Sequence, residues 1–170
     1  MEYKSWDDVA NEQKVVSRLL SNHLKLERLN HAYIFEGVKG TKKYDIARFF
    51  TKALICENKD ASMNPCHQCK DCQRINHATH PNVFVVEPDG KFIKKEQIKK
   101  MINEFSKTSL ESGPRVNIIL EADKFNLSSA NAFLKLMEEP GDDIYQIMIT
   151  ENLQALLPTI RSRGEIIHFK

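Results

Sequence analysis

Four cysteines are the side chains whose types and spacing most directly indicate chemistry. Cys66, Cys69 and Cys72 form a C-x-x-C-x-x-C pattern, and Cys56 lies ten positions before the first of them. Thiols this close together in a reducing compartment are typical of a metal site, because four thiolates complete the tetrahedral shell of a structural zinc ion. Since a closed four-sulfur shell leaves no position for a reacting water, we expect a structural zinc rather than a catalytic one.

Other interpretations of the thiols stay open at the level of sequence. His67 and His77 lie near enough to substitute for a cysteine ligand. Reduced free thiols, a redox motif or an iron–sulfur cluster are the remaining alternatives. Nothing else in the sequence indicates electron transfer, so zinc is the hypothesis that we carry forward.

A second pattern resembles a loop that binds phosphate. The pattern G-x-x-x-x-G-K-[ST] follows a strand and opens a helix, and its lysine and hydroxyl reach the phosphates and magnesium. Gly37 and Lys43 have the required separation, with Gly40 between them, but Lys42 replaces the second glycine and Tyr44 replaces the hydroxyl residue. We expect weak or no nucleotide binding at Gly37, Gly40 and Lys43.

The acidic strand of such a site is altered as well. In a hydrolytic site an apolar strand ends in an aspartate that holds magnesium and a glutamate that orients water. Here Leu120 stands at the aspartate position, followed by Glu121 and then, two residues later, by Asp123. The coupled changes at the loop and at this strand indicate a nucleotide-binding ancestor that no longer hydrolyses, with ATP and magnesium not bound productively.

Five short apolar segments alternate with helical patterns. The segments cover residues 32–35, 83–86, 116–120, 145–149 and 165–169. They predict an α/β fold, a five-stranded parallel sheet with helices on both faces. The predicted helix starts are Asp7 or Asp8 for a first helix that continues to Leu29, and Ser128 for a helix that Pro140 and Gly141 stop.

Composition excludes several classes of protein. The chain has 170 residues, 41% hydrophobic and 28% charged, with six glycines and six prolines, which suits one globular domain. The net charge of +2 is too balanced to make nucleic-acid binding the default. The N-terminus carries acids and no apolar core, and no apolar run spans a bilayer, so we expect a cytoplasmic protein that contacts no membrane.

Several segments together resemble the clamp-loader branch of the AAA+ family. They are His-Ala-Tyr-Ile-Phe-Glu-Gly at 31–37, the four-cysteine insertion at about 56–72, Asn-Ala-Phe-Leu-Lys-Leu-Met-Glu-Glu-Pro at 131–140, and Leu-Pro-Thr-Ile-Arg-Ser-Arg at 157–163. The resemblance implies a P-loop ATPase core in a ring of subunits that uses ATP to place a sliding clamp on primed DNA. A zinc module beside a damaged phosphate loop is most similar to the subunit that does not hydrolyse ATP and acts as a stator.

The resemblance also implies a role for one arginine. Family members carry an S-R-C motif whose arginine acts in trans on ATP bound by the neighbouring subunit. The matching residues here are Ser162, Arg163 and Gly164, so the cysteine is replaced. Arg163 is the expected trans arginine finger, with Arg161 as a nearby substitute, and the alternative is a surface arginine paired with an acid. Thr150 matches a position that senses the terminal phosphate, and we expect it to be structural here.

Three functions remain open after these observations. The first is a non-hydrolysing clamp-loader subunit that works with the other subunits of its complex; the second is a hydrolysing subunit with an unusual loop; the third is a zinc-stabilised module that binds DNA or protein. Five lysines around one predicted helix start bear on the third, although a solvated helix face is the simpler interpretation; they are Lys91, Lys94, Lys95, Lys99 and Lys100. The resemblance further implies a helical lid and a collar domain beyond residue 170.

Overall fold

The computed structural model describes residues 2–105, 111–138, 141 and 143–170. Within these ranges the helices are α1 (Trp6–Glu12), α2 (Lys14–Lys25), α3 (Lys43–Ile55), α4 (Lys70–Asn76), α5 (Lys95–Phe105), α6 (Leu127–Glu138) and α7 (Pro158–Arg161). The strands are β1 (Ala32–Glu36), β2 (Val83–Val86), β3 (Arg115–Ile119), β4 (Ile144–Thr150) and β5 (Glu165–His168). No helix in the described ranges is both long enough and apolar enough to span a bilayer.

The five strands form one parallel sheet in the order β2-β3-β4-β1-β5, which confirms the predicted fold class. All strands therefore end at the same edge, and the loop that follows β1 lies beside the end of β4, where the amide of Gly37 donates to the carbonyl of Thr150. In open α/β sheets ligands bind outside this carboxyl edge. The fold thus places the eroded phosphate loop at the expected binding edge.

Alternating side chains along each strand build two separate cores. Tyr33 and Phe35 of β1 are buried on the face that α1, α2 and α3 cover, together with Phe50. Ile34 lies on the opposite face with Phe133, under α5 and α6. Each large apolar side chain that is fully buried contributes about 1.5–3 kcal/mol to the free energy of unfolding, so the double cover fixes the sheet between its helices.

Three predictions about helix ends were wrong. The long first helix is two helices, because Gln13 has φ −140° and ψ 83° and interrupts the helical backbone. The first cap is Ser5, whose hydroxyl accepts from the amide of Asp8, rather than either aspartate. The cap of α6 is Asn126 rather than Ser128, because Ser128 already lies inside the helix. Asn126 precedes the helix, and its Oδ1 accepts from the amide of Ser129. The predicted stop at Pro140 lies outside the described residues.

Candidate functional site

The loop after β1 holds Lys42 in a backbone conformation that favours glycine. Lys42, at the position of the second glycine, has φ 66° and ψ 27°, the left-handed conformation that glycine adopts without strain. Gly40 has φ 90° in the same loop. A left-handed conformation costs a non-glycine residue about 1–2 kcal/mol, so the loop retains its geometry against the preference of Lys42.

The ammonium group of Lys43 is bonded inside its own loop. Its Nζ donates to the carbonyl oxygens of Gly37 at 2.7 Å and Val38 at 2.8 Å, and to Oγ1 of Thr41 at 3.1 Å. An ammonium has three protons to donate, and all three are used. Burial lowers the pKa of Lys43 below that of a free lysine. Contact with a phosphate would require this lysine to exchange bonds that it already makes.

The residues at the positions that would bind magnesium either lack a suitable oxygen or already make a hydrogen bond within the chain. Tyr44 and the half-buried Leu120 offer no small hydroxyl and no carboxylate. Asp123 Oδ1 accepts a hydrogen bond from the hydroxyl of Thr150 at 2.7 Å, and the same hydroxyl accepts from the amide of Asn152 at 3.0 Å. Thr150 therefore bonds within its own chain, in agreement with a structural role.

A cavity of about 650 Å³ nevertheless remains at this edge of the sheet, lined by Lys39, Gly40, Lys42, Lys43, Tyr44, Leu120, Glu121, Asp123, Lys124, Ile149, Thr150, Glu151 and Asn152. Its volume lies in the range of small-molecule sites. The cavity therefore has the size of a small-molecule site, with Leu120 and Tyr44 at the positions where a carboxylate and a small hydroxyl would bind magnesium.

Arg163 lies far from this cavity. It borders a different cavity, beside residues 30–32 and Gln146, where β1 and β4 begin. Because β1 rises about 3.3 Å per residue, the strand from Ala32 to Glu36 alone separates Arg163 from the phosphate loop by about 13 Å. The guanidinium is 44% exposed, and its Nη2 lies 3.0 Å from Oε1 of Glu138, which is 49% exposed.

The residues beside Arg163 explain how the altered motif packs. A Cβ at Gly164 would lie 2.9 Å from Cγ1 and 3.0 Å from Cδ1 of Ile34, so the Ile34 side chain occupies the space that a larger residue would need. Arg161, the predicted substitute, directs Nη1 toward Leu153 O at 3.5 Å and Gln154 Oε1 at 3.4 Å. The ion pair of Arg163 with Glu138 is exposed on both sides, and because such pairs contribute about 0–1 kcal/mol, Arg163 can exchange its partner at little cost.

The four cysteines converge as the sequence predicts. The Sγ atoms of Cys56, Cys66, Cys69 and Cys72 all lie within 4.8 Å of one another, and no histidine belongs to this group among the described residues. A tetrahedral zinc with bonds of about 2.3 Å requires sulfur atoms about 3.8 Å apart, close to the 4.0 Å between Cys56 and Cys69. The donor set fits a zinc ion, and the cluster can hold a metal.

Backbone amides around the cluster point toward its sulfur atoms. The amides of Cys66, Cys69 and Cys72 donate to the Sγ atoms of Cys56, Cys66 and Cys69 at 3.3–3.4 Å. Backbone N–H donation from Gln68 lowers the pKa of Cys66 to about 6, whereas burial raises the pKa of Cys72. Because metal ligands are thiolates, occupancy would favour the ionised form at the buried cysteine too.

A network of hydrogen bonds and ion pairs around His80 was not predicted from the sequence. His80 Nε2 lies 2.8 Å from Oδ1 of Asp71. His80 Nδ1 accepts from the amide of Asn82, so the Nε2 proton donates to the carboxylate. Arg74 bonds both Asp71 and Glu111. The members of this network are spread along the chain from Asp71 to Glu111, so no local sequence pattern indicates it. The network ties α4 to the sheet.

The lysine cluster forms part of a groove between α5 and α6. Lys95 and Lys99 line a cavity of about 620 Å³ together with Lys135 of α6, over an apolar floor that includes Ile102 and Ala132. The groove is positively charged, because Lys95 and Lys99 of α5 and Lys135 of α6 line it. A contact with the DNA backbone at these lysines stays the alternative to a solvated helix face.

Comparisons with known proteins identify the family and relatives of this chain. A family model described as "DNA polymerase III, delta subunit" matches residues 12–170. The chain is 43% identical over 166 residues to the DNA polymerase III subunit delta' of Bacillus subtilis (strain 168), covering 98% of this chain and 50% of that protein. It is 32% identical over 160 residues to the gamma subunit of Buchnera aphidicola subsp. Baizongia pistaciae, covering 94% and 42%.

A solved structure supports the fold independently. The Thermotoga maritima RuvB Holliday junction branch migration motor superimposes with a TM-score of 0.62 at 19% identity, covering 99% of this chain and 48% of that one. At this identity the likeness concerns the fold alone. The chain spans about half the length of the relatives that it matches.

Proposed function

The chain belongs to the DNA polymerase III delta subunit family, a clamp-loader type of protein, and we propose that it is a delta'-type subunit that does not itself hydrolyse ATP. In this role it is a stator within a ring of subunits, and it donates Arg163 to ATP held by its neighbour. Because the chain spans half the length of its relatives, the role in the whole assembly is part of the proposal.

The phosphate site supports the absence of hydrolysis. Lys43 is bonded to its own loop, and Leu120 supplies no oxygen where a magnesium ligand is needed. Tyr44 places a phenol ring where a small hydroxyl is required, and Asp123 is bonded to Thr150. Hydrolysis of ATP depends on magnesium to neutralise charge that develops on the phosphates. Without a carboxylate at Leu120 and a small hydroxyl at Tyr44, the cavity can hold a nucleotide at most weakly.

The position of Arg163 is the single observation that carries the proposal. Arg163 lies where β1 and β4 begin, whereas the chain's own phosphate loop lies where they end. A guanidinium on this edge can stabilise a transferring phosphoryl group only if another subunit brings it. Its exposure and its exchangeable ion pair with Glu138 suit such a contact.

Partners follow from this assignment. We infer gamma or tau and delta subunits as neighbours, with the sliding clamp and primed DNA engaged through the complex in the cytoplasm. A helical lid and a collar domain beyond residue 170 belong to the same proposal. Zinc is the metal that we assign to the four-cysteine cluster, whose donor set is the tetrahedral thiolate shell that zinc prefers.

Two other functions have some support. The similarity to a gamma subunit at 32% identity and the open cavity beside Lys43 favour a hydrolysing gamma- or tau-type subunit. The groove with Lys95, Lys99 and Lys135 favours a zinc-stabilised module that binds DNA. Magnesium-dependent ATP turnover by the purified chain would support the first of these, and DNA binding by the isolated chain that weakens steeply with salt would support the second.

The experiment that tests the proposal is a substitution of Arg163 in a complex reconstituted with the hydrolysing subunits, the clamp and primed DNA. We expect Arg163→Ala to lower turnover at the neighbouring ATP site on the order of 10³-fold, and Arg163→Lys to restore little, because lysine lacks the planar fork. Arg161→Ala, two residues away, is the matched control. Unchanged stimulated ATPase in the Arg163→Ala complex would overturn the trans role.

A further inference from the structure

The loop that carries the cysteines is bonded to the beginning of the chain. The amide of Trp6 donates to Oδ1 of Asn64 at 2.8 Å, and its indole Nε1 donates to the carbonyl of Met63 at 2.8 Å. His67 Nε2 donates to the carbonyl of Lys4 at 2.7 Å. All three loop partners lie between Cys56 and Cys69, so residues 4–6 rest on the loop that the cysteines close.

The shape of this loop depends on its cysteines. No helix or strand is found between the end of α3 and the start of α4, although both ends and the loop are described. Met63 and His67 have φ of 66° and 65°, a conformation that costs non-glycine residues about 1–2 kcal/mol each. The amides of Cys66 and Cys69 are directed at neighbouring sulfur atoms. Asp60 closes the turn that contains Met63 and Asn64, because its carboxylate accepts from the amide of Asn64 at 3.0 Å and its carbonyl accepts from the amide of Met63 at 3.0 Å. Convergence of the thiols at Cys56, Cys66 and Cys69 fixes where this turn and His67 lie in the loop.

Contacts continue from Trp6 into the protein. Its ring packs edge to face on Phe49, with centroids 4.8 Å apart, and its carbonyl accepts from Ser17 Oγ at 2.6 Å. The helix that Trp6 begins, α1, ends next to Gln13. Gln13 Nε2 donates to the carbonyl of Thr41 in the phosphate loop at 3.3 Å. The segment that rests on the cysteine loop thus also contacts the phosphate loop.

We propose that the four-cysteine loop, when it holds its metal, is the docking platform for the chain's own N-terminal segment, residues 2–12, and through Gln13 orders the phosphate loop. The simpler role, local stability of the loop itself, would leave that segment unaffected by metal removal. This proposal is independent of the role in clamp loading, because it concerns contacts within one chain.

Trp6 makes the proposal directly measurable, since it is the only tryptophan of the 170-residue chain and is 5% exposed. We expect chelation of the metal to shift its emission to longer wavelength and to raise its quenching by acrylamide. Hydrogen exchange should lose protection over residues 2–12 and at the phosphate loop while β1, β3 and β4 keep theirs. Unchanged emission and protection after verified metal loss would overturn the proposal.

A reciprocal measurement covers the case in which chelation unfolds the whole chain. Linkage requires that weakening the docking also weakens metal binding. Trp6→Phe removes the indole bond to Met63 but keeps an aromatic ring, and we expect metal affinity in a chelator competition to fall about fivefold, the effect of one hydrogen bond. Tyr3→Phe is the matched control, because the Tyr3 hydroxyl is buried without a hydrogen-bond partner among the described residues. Equal affinities in the two variants would overturn the proposal.

A second pair of variants tests the platform while leaving the cysteines intact. Asn64→Ala removes the acceptor for the amide of Trp6, whereas Asn58→Ala alters an exposed residue of the same loop. We expect both variants to bind one metal per chain, and only Asn64→Ala to lose protection over residues 2–12. Full protection in Asn64→Ala would contradict the docking role of the loop.

Discussion

The first glycine of the eroded phosphate loop is held by packing, and this gives a sharp stability prediction. A Cβ at Gly37 would lie 2.7 Å from the carbonyl oxygen and 2.8 Å from the Cβ of Phe169. Neither atom is the end of a flexible side chain, so rotation cannot relieve the contact. The amide of Phe169 donates to the carbonyl of Glu36 at 2.7 Å, which fixes the segment after β5 against the loop.

The size of the effect follows from these contacts. Inserting a methyl group into a packed site costs about 1–3 kcal/mol. Displacing Phe169 also breaks its backbone hydrogen bond to Glu36, at about 1 kcal/mol. We therefore expect Gly37→Ala to lower the free energy of unfolding by about 2–4 kcal/mol. With a urea slope of about 2 kcal/mol/M, the unfolding midpoint should fall by about 1–2 M.

The assay is equilibrium urea unfolding followed by circular dichroism, with Gly40→Ala as the control. Gly40 has φ 90° and no atom within 4 Å of its missing Cβ, so alanine there suffers only backbone strain of about 1–2 kcal/mol. Hydrogen exchange at the Phe169 amide should quicken in Gly37→Ala alone. The reasoning is refuted if Gly37→Ala is no less stable than Gly40→Ala, or if the Phe169 amide keeps its protection.

Three further predictions concern the nucleotide cavity, acid stability and the metal. The triple variant Lys42→Gly, Tyr44→Thr and Leu120→Asp should gain magnesium-dependent ATP binding in calorimetry, because it returns a flexible backbone, a hydroxyl and a carboxylate; no gain would show that other residues close the site. The hydrogen bond from Arg74 holds the pKa of Glu111 below its usual 4.5, so the carboxylate stabilises the fold above that pH, and its contribution is lost as the pH falls through the lowered value. Glu111→Gln should make the urea midpoint fall less steeply as the pH is lowered. If the midpoints of the variant and the unchanged protein fall in parallel with pH, Glu111 does not contribute to acid stability in this way. Metal analysis of natively purified protein should find one zinc per chain, and its absence would contradict the cysteine site.

Sequence periodicity located the sheet well because its strands are continuous apolar runs. The strand at Val83–Val86 was predicted to the residue, and the β1 prediction, 32–35, was extended only by Glu36. The inner strands β3, β4 and β1 leave this signal because helices cover both of their faces, whereas β2 is an edge strand with Val85 39% exposed. The four cysteines were found for a similar reason, since metal ligands on one loop are close in sequence.

Features that depend on distant contacts were missed or misplaced. The break at Gln13 gives no local signal, and its side chain instead bonds Thr41 and Lys170, far along the chain. His80 meets the Asp71 carboxylate across the turn that follows α4, and Arg74 of α4 meets Glu111, which is 37 residues further along the chain. Local patterns cannot report such partners, because tertiary packing decides which polar groups meet.

The placement of Arg163 and the phosphate loop at opposite edges of one sheet has a consequence for symmetry. A two-fold axis brings the same surface of two copies together. The arginine and the phosphate cavity lie on different surfaces, so a two-fold contact cannot place the arginine of one copy at the cavity of the other. If Arg163 acts on the phosphate site of a neighbour, as proposed, the contacts between subunits join unlike faces, head to tail. Such contacts give a closed ring or an open spiral, so the polarity of the assembly follows from the direction of the strands in each subunit.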